Sequence, residues 1–143
     1  MKTAIYVGGL LIDRGSILLK QGGEASKQWF RPPGKFLEGD ETLEMAVSKG
    51  FKEETGWMCA VRDLAYVIES FKGDDERELG VYFLVSVHSP KAREIVRDGL
   101  QFVSMQEMIV MDVRPAVLAG KIFADEKRGS RGSATYLVNH WND

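Results

Sequence analysis

Thr42 to Thr55, enclosed between Pro32-Pro33-Gly34 and Gly56, is the stretch of this chain with the fewest conformational options. It reads as a helix, with Glu41 and Glu44 near its start and Gly56 as its stop. At about 100° per residue, Leu43, Ala46, Val47, Gly50 and Phe51 fall on one stripe, which must face a core. Glu54 falls on the same stripe and Glu53 on its flank, while Glu44, Ser48 and Lys52 take the solvated side. Acids in a last helical turn oppose the macrodipole. A carboxylate on an apolar stripe also loses hydration unless a charge meets it. Two readings follow: a hard cation gathers the acids, or the helix end simply emerges from the core.

The rest of the chain alternates strands and helices. Ala4 to Ile12 is an apolar strand in which Gly8-Gly9 marks a bulge or a close backbone approach. Asp13-Arg14-Gly15 turns it into a second strand, Ser16 to Lys20, as a hairpin. Gln21 to Gln28 is read as a polar loop, Trp29 to Arg31 as a short strand and Gly34 to Asp40 as loop. Ala60 to Phe71, Val81 to His88, Leu100 to Val103 and Thr135 to Val138 read as strands, with a charged loop from Lys72 to Arg77. Ser104-Met105-Gln106-Glu107 is a capping box. Pro115 suits the first residue of a last helix ending near Ala124. Asp125 to Ser133, polar and glycine-rich, is expected to be mobile. No repeat, linker or composition shift divides the chain, so one domain is expected over 1–143, of α/β or α+β type.

With 143 residues and 44% hydrophobic content, the chain can bury one real core. A formal net charge of -2 supplies no general field toward DNA, RNA or an anionic membrane, so neither DNA nor membrane is expected as a partner. An anionic ligand must be held locally, by a metal or by a few of Arg14, Lys20, Lys27, Arg31 and Lys35. Arg31 and Lys35 flank the Pro-Pro-Gly loop and are the stronger choices, with Gly34 between them. Trp29 reads first as a core aromatic, with base stacking as the alternative. Cys59 stands alone, which excludes an internal disulfide and points to a reducing compartment. No signal-type or membrane-spanning run is visible, and the expectation is a cytoplasmic protein.

The segment from Gly34 to Thr42, followed by Lys49-Gly50-Phe51-Lys52-Glu53-Glu54-Thr55-Gly56-Trp57, resembles the Nudix box. That pattern is Gly, five residues, Glu, seven residues, then Arg-Glu-apolar-any-Glu-Glu-any-Gly-apolar. Glu41, Phe51, Glu53, Glu54, Gly56 and Trp57 are in register with it. Trp29 before Pro-Pro-Gly, Glu78 to Leu84, and Asp112-Val113-Arg114-Pro115 resemble flanks of small bacterial Nudix hydrolases, so the likeness spans nearly the whole chain. The resemblance implies an α/β fold, the Nudix-type α/β/α sandwich with a central mixed β-sheet. It implies a metal-dependent pyrophosphohydrolase of nucleoside diphosphate derivatives, using Mg²⁺ or Mn²⁺. Glu53, Glu54 and Glu41 would hold the metal, and Arg31, Lys35 and Gly34 would meet a nucleotide-derived small molecule. Because dimers are common in the family, a homodimer is compatible with the resemblance. Splitting a diphosphate adds water to a phosphorus ringed by negative oxygens, and metal ions neutralise that charge.

The chain also departs from the pattern. Lys49-Gly50 stands where the family has Arg-Glu, Pro33 replaces the first glycine of a pair, and Gly34 to Glu41 is one residue longer. Lysine keeps the charge of arginine but not its planar fork. Glu78 is the first candidate to supply the missing acid as general base, and Glu38 the second; a solvated turn is the plainer reading for both. Catalytic roles are therefore expected of Glu53, Glu54 and Glu78. The alternative is a non-catalytic module that binds a nucleotide diphosphate on the same fold. Glutamate is a better helix former than glycine, so Lys49→Arg with Gly50→Glu is expected to be tolerated and to raise hydrolysis.

Overall fold

The computed structural model describes residues 2–88, 97–129 and 132–140. Its strands are β1 (Lys2–Leu10), β2 (Ile12–Asp13), β3 (Ser16–Glu24), β4 (Lys27–Arg31), β5 (Gly34–Phe36), β6 (Cys59–Lys72), β7 (Glu76–Val87), β8 (Leu100–Ser104) and β9 (Thr135–His140). Three helices accompany them: α1 (Leu43–Thr55), α2 (Met105–Met108) and α3 (Ala116–Arg128).

A five-stranded sheet runs in the order β5-β1-β7-β6-β9. It is mixed, because β1 pairs parallel with β7 and β6 parallel with β9, while the β5–β1 and β6–β7 pairs are antiparallel. A second sheet runs β2-β3-β4, with β8 added to β3. Alternation along the strands sends side chains to two cores. Val7, Leu11, Leu18, Val81, Phe83 and Val85 meet Ala46, Val47 and Phe51 of α1 in one of them. Tyr6, Leu10, Ile17, Leu19, Ile68 and Tyr82 meet Met108 of α2 and Leu118 and Ile122 of α3 in the other. Helix layers on either side of a central mixed sheet are the α/β/α architecture expected from sequence.

Several elements differ from the sequence reading. The Asp13–Gly15 turn joins β2 to β3, whereas β1 leaves that hairpin and pairs with β5 and β7. The expected loop at Gln21–Gln28 is mostly strand, because β3 extends to Glu24 and pairs with β4 in continuous register. Gly34–Phe36, also expected as loop, is strand β5 on the edge of the large sheet. Its glycine is required there: a β-carbon at Gly34 would stand 2.0 Å from the Val7 carbonyl oxygen. The Lys72–Arg77 loop shrinks to a turn, since β6 and β7 reach Lys72 and Glu76. α3 runs on to Arg128, so Asp125 is helical and buried rather than part of a mobile stretch. Residues 130 and 131 of that stretch lie outside the described residues. The capping box at Ser104–Glu107 forms as read; Pro115, expected as the first helical residue, is instead the N-cap position and α3 begins at Ala116. No helix among the described residues is long and apolar enough to cross a membrane.

Candidate active site

Helix α1 delivers its acids by ordinary means. The Thr42 hydroxyl accepts from the Met45 N–H at its start, and Gly56, at φ 82°, ends it in the left-handed conformation. Of the expected stripe, Ala46, Val47, Gly50 and Phe51 are buried, which fixes the rotation of the helix, whereas Leu43 in the first turn is exposed. Glu54, on the same side one turn later, is partly buried, whereas Glu53 faces solvent. The Arg97 guanidinium donates to the Glu53 carbonyl at 3.2 Å, satisfying one open acceptor of the last turn.

Glu54 borders a cavity of about 480 Å³ lined by Tyr6, Lys20, Gln21, Trp29, Arg31 and Phe36, together with Gly22, Gly34, Lys35 and Glu38. One oxygen of Glu54 accepts the Gly34 N–H at 3.3 Å, and the other meets the Lys20 ammonium. Lys20 comes from β3 of the small sheet and Glu54 from the helix over the large one, so this ion pair links the two at the cavity.

Arg31, on β4, lines the cavity beside Lys20. Its guanidinium lies 3.5 Å from the Tyr6 ring centroid and 5.6–5.7 Å from those of Phe36 and Trp29. It pairs with Glu78 at 3.4 Å. Glu78 is 4% exposed and also meets Lys72 at 3.7 Å. It lies within β7, not in a loop before it, and neither the solvated turn nor a freely exposed base describes it. Its place holds Arg31 against the aromatic rings. The Tyr6 hydroxyl donates to the Pro32 carbonyl at 2.7 Å, and burial pushes its pKa up, against the opposing pull of Arg31.

Lys35 donates to both oxygens of Glu41 at 2.9 Å, and the Glu38 N–H adds a bond of 3.0 Å. The Lys35 ammonium and that N–H hold the Glu41 carboxyl below its usual range, and the same pairing raises Lys35.

These contacts bear directly on a metal. Among the described residues no three acids, histidines or cysteines are grouped so as to hold one ion. Glu41 is committed to Lys35, both oxygens of Glu54 are engaged, and Glu53 stands in solvent. As arranged, the trio Glu53, Glu54 and Glu41 does not fit a hard cation, because lysine ammoniums already satisfy Glu54 and Glu41 and Glu53 stands in solvent.

Gly50 explains the most conspicuous departure of the box. It is buried, and a β-carbon there would stand 2.7 Å from the Gly34 carbonyl carbon and 2.8 Å from the Lys35 nitrogen. The helix rests on the backbone of β5 at this point, so the glycine is a packing requirement. The expectation that glutamate would be tolerated here is corrected: helix propensity favours it, and the adjoining backbone excludes it.

Arg31, Lys35, Gly34 and Glu54 all border one cavity, as does Lys20, which sequence reasoning ranked behind Arg31 and Lys35. Tyr6, Gln21 and Phe36 were not anticipated there. Their side chains reach the cavity through strand register, which no local motif announces. Trp29 is partly buried at the cavity wall rather than in the core.

The NUDIX domain family model matches residues 2–123. This chain belongs to the Nudix family. Members of that family generally use divalent metals such as Mg²⁺ or Mn²⁺. The Nudix chain is 33% identical over 89 residues to an ADP-ribose pyrophosphatase of Methanocaldococcus jannaschii, a match covering 61% of this chain and 53% of that protein. It therefore spans about half the length of that relative. Among solved structures, the Escherichia coli ORF135 protein superposes with a TM-score of 0.74 at 20% identity, covering 90% of this chain and 94% of that one. A Nudix hydrolase from Nitrosomonas europaea superposes with a TM-score of 0.71 at 15% identity, covering 99% of this chain and 81% of that one. At such identities the superpositions speak for the Nudix fold alone.

Proposed function

We propose that this Nudix domain is a pyrophosphohydrolase of nucleoside diphosphate derivatives, with the diphosphate seated in the cavity between Lys20, Arg31 and Lys35. The observation that carries the reading is the placement of Glu54. A helix in register with the Nudix box brings its carboxylate to a cavity lined by Lys20, Lys35 and Arg31, with the Arg31 guanidinium set against aromatic rings. Three basic side chains can neutralise a diphosphate. Trp29 and Phe36 offer rings to a base, and the Gln21 amide can donate to it or accept from it. A phosphate that draws Lys20 away would leave Glu54 free to accept a proton from water. A divalent ion of the kind such enzymes generally use would find Glu54 and Glu41 already paired with lysines, so the cations of the chain itself carry the neutralising charge.

A second reading, a module that binds the same ligands without cleaving them, is favoured by one observation. The box position that carries a carboxylate in the family is Gly50, with no room for a side chain. A panel of nucleoside diphosphate derivatives, assayed for product and for thermal shift with and without Mg²⁺ or Mn²⁺, separates the two. Product formation that disappears in Glu54→Gln supports the hydrolase. Thermal shifts without product in any condition support the module, and neither signal removes both.

A further inference from the structure

Lys20 and Arg31 are directly opposite each other in the β3–β4 register. Side chains so placed have β-carbons about 5 Å apart, and like charges there repel. Nothing in strand propensity favours the pairing. Each cation is balanced from elsewhere, Lys20 by Glu54 of α1 and Arg31 by Glu78 of β7. Both border the cavity, and the Nε of Arg31 is buried without a hydrogen-bond partner. The fold therefore brings two positive charges together at the cavity wall, on the side facing the acid of the box.

The acids tell the complementary story. Of the carboxylates in and around the box, Glu54 at the cavity is met by Lys20, Glu41 beside it by Lys35 on both oxygens, and the exposed Glu38 lies 4.0 Å from the same Lys35, while Glu53 stands in solvent. Gly50 admits no further acid, because the β5 backbone stands where its side chain would begin.

We infer that Lys20 is the built-in cation of this site, and that the protein takes the diphosphate of a nucleoside diphosphate derivative on the Lys20–Arg31 pair without a divalent ion. The inference rests on the reading that the cavity receives such a diphosphate. In the free protein the ammonium neutralises Glu54; in the complex the diphosphate competes for it. The Lys20 side chain is 45% exposed, so it can turn toward a ligand without breaking the core.

The test is calorimetric titration of the full chain with ADP, once in excess EDTA and once in excess Mg²⁺. The wild type should bind about equally well in both. Lys20→Met should lose about tenfold or more in EDTA, the scale of one charge-assisted hydrogen bond, while Lys20→Arg should retain most of the affinity. Wild-type binding that appears only with Mg²⁺ overturns the inference. So does undiminished ADP affinity of Lys20→Met in EDTA. A second measurement needs no nucleotide: Mn²⁺ titration followed by paramagnetic relaxation. Lys20→Met frees Glu54 and should bind Mn²⁺ about tenfold more tightly than the wild type. Equal Mn²⁺ affinity in the two proteins would remove Lys20 from the cation's role. If ADP binds in neither buffer, the nucleoside diphosphate reading fails, and the Mn²⁺ comparison still decides the role of Lys20.

Discussion

Gly50 of the helix and Gly34 of the edge strand pack so closely that a β-carbon on Gly50 would stand 2.7 Å from the Gly34 carbonyl carbon. Real β-carbons do not approach backbone that closely, so any side chain at position 50 must push the helix off the sheet. Gly50→Ala should destabilise the fold by about 1–3 kcal/mol, the cost of overpacking, although alanine gains about 1 kcal/mol over glycine in helix propensity. Urea unfolding midpoints of the two proteins give the difference. A more stable alanine variant would show that this contact relaxes freely. Gly50→Glu should be less stable still, and no restored hydrolysis is expected of it.

Glu78 is a structural partner of Arg31. Glu78→Gln leaves Arg31 and Lys72 beside a buried neutral amide, and loss of one member of a buried pair costs about 3–5 kcal/mol. Denaturant unfolding should register a loss at the lower end of that range, because Lys72 remains partly exposed. A change below about 0.5 kcal/mol, the scale of an ordinary surface substitution, would return Glu78 to the status of a solvated acid.

Stability should fall at acid pH through Asp125. Burial pushes its carboxyl up, but hydrogen bonds from the Tyr66 hydroxyl at 2.6 Å, Arg128 and Lys121 outweigh burial and leave it lowered from 3.8. A carboxyl whose folded pKa lies below its unfolded value stabilises the protein above the unfolded value. That contribution is lost as pH falls through the folded pKa. Asp125→Asn should therefore be less stable than the wild type at neutral pH, with the gap closing below about pH 4. Unfolding curves across that range check it, and a gap independent of pH would count against the assignment.

Trp29 offers an optical test of the ligand's orientation. It borders the cavity and packs over Gly22, whose added β-carbon would stand 2.3 Å from the indole. If a base stacks there, ADP should quench tryptophan emission in the wild type and not in Trp29→Phe. Trp29→Ala should weaken ADP binding by about tenfold or more, since a stacked base contributes about 1–3 kcal/mol. Identical quenching in wild type and Trp29→Phe would place the base elsewhere.

What the sequence disclosed followed from how locally each signal is encoded. α1 was readable almost to the residue, because its cap at Thr42, its apolar stripe and its stop at Gly56 lie within one window. The Ser104–Glu107 capping box was equally local. β5 escaped, because Pro and Gly mark a loop unless a distant strand pairs with them, and β1 does. The direction of Glu54 was legible from helical periodicity, but its partner was not. Lys20 reaches it only because β3 belongs to a second sheet that folds over the first. Gly50 looked like damage for the same reason: propensity describes the helix in isolation, and the strand beneath it is fourteen to sixteen residues away in sequence, at Gly34–Phe36.

The cavity draws its walls from two independent frames. Lys20, Gln21, Trp29 and Arg31 ride on the β3–β4 hairpin of the small sheet, whereas Gly34, Lys35 and Glu54 belong to β5 and α1. Each frame keeps its own hydrogen-bonded register, so residues on the hairpin can change while the helix and its acid stay in place. The Lys20–Glu54 and Arg31–Glu78 pairs tie the two frames together, so the hairpin positions open to exchange are the uncharged ones, Gln21 and Trp29. Grafting a hairpin that keeps Lys20 and Arg31 but differs at those two positions would alter ligand preference without disturbing the acid of the helix.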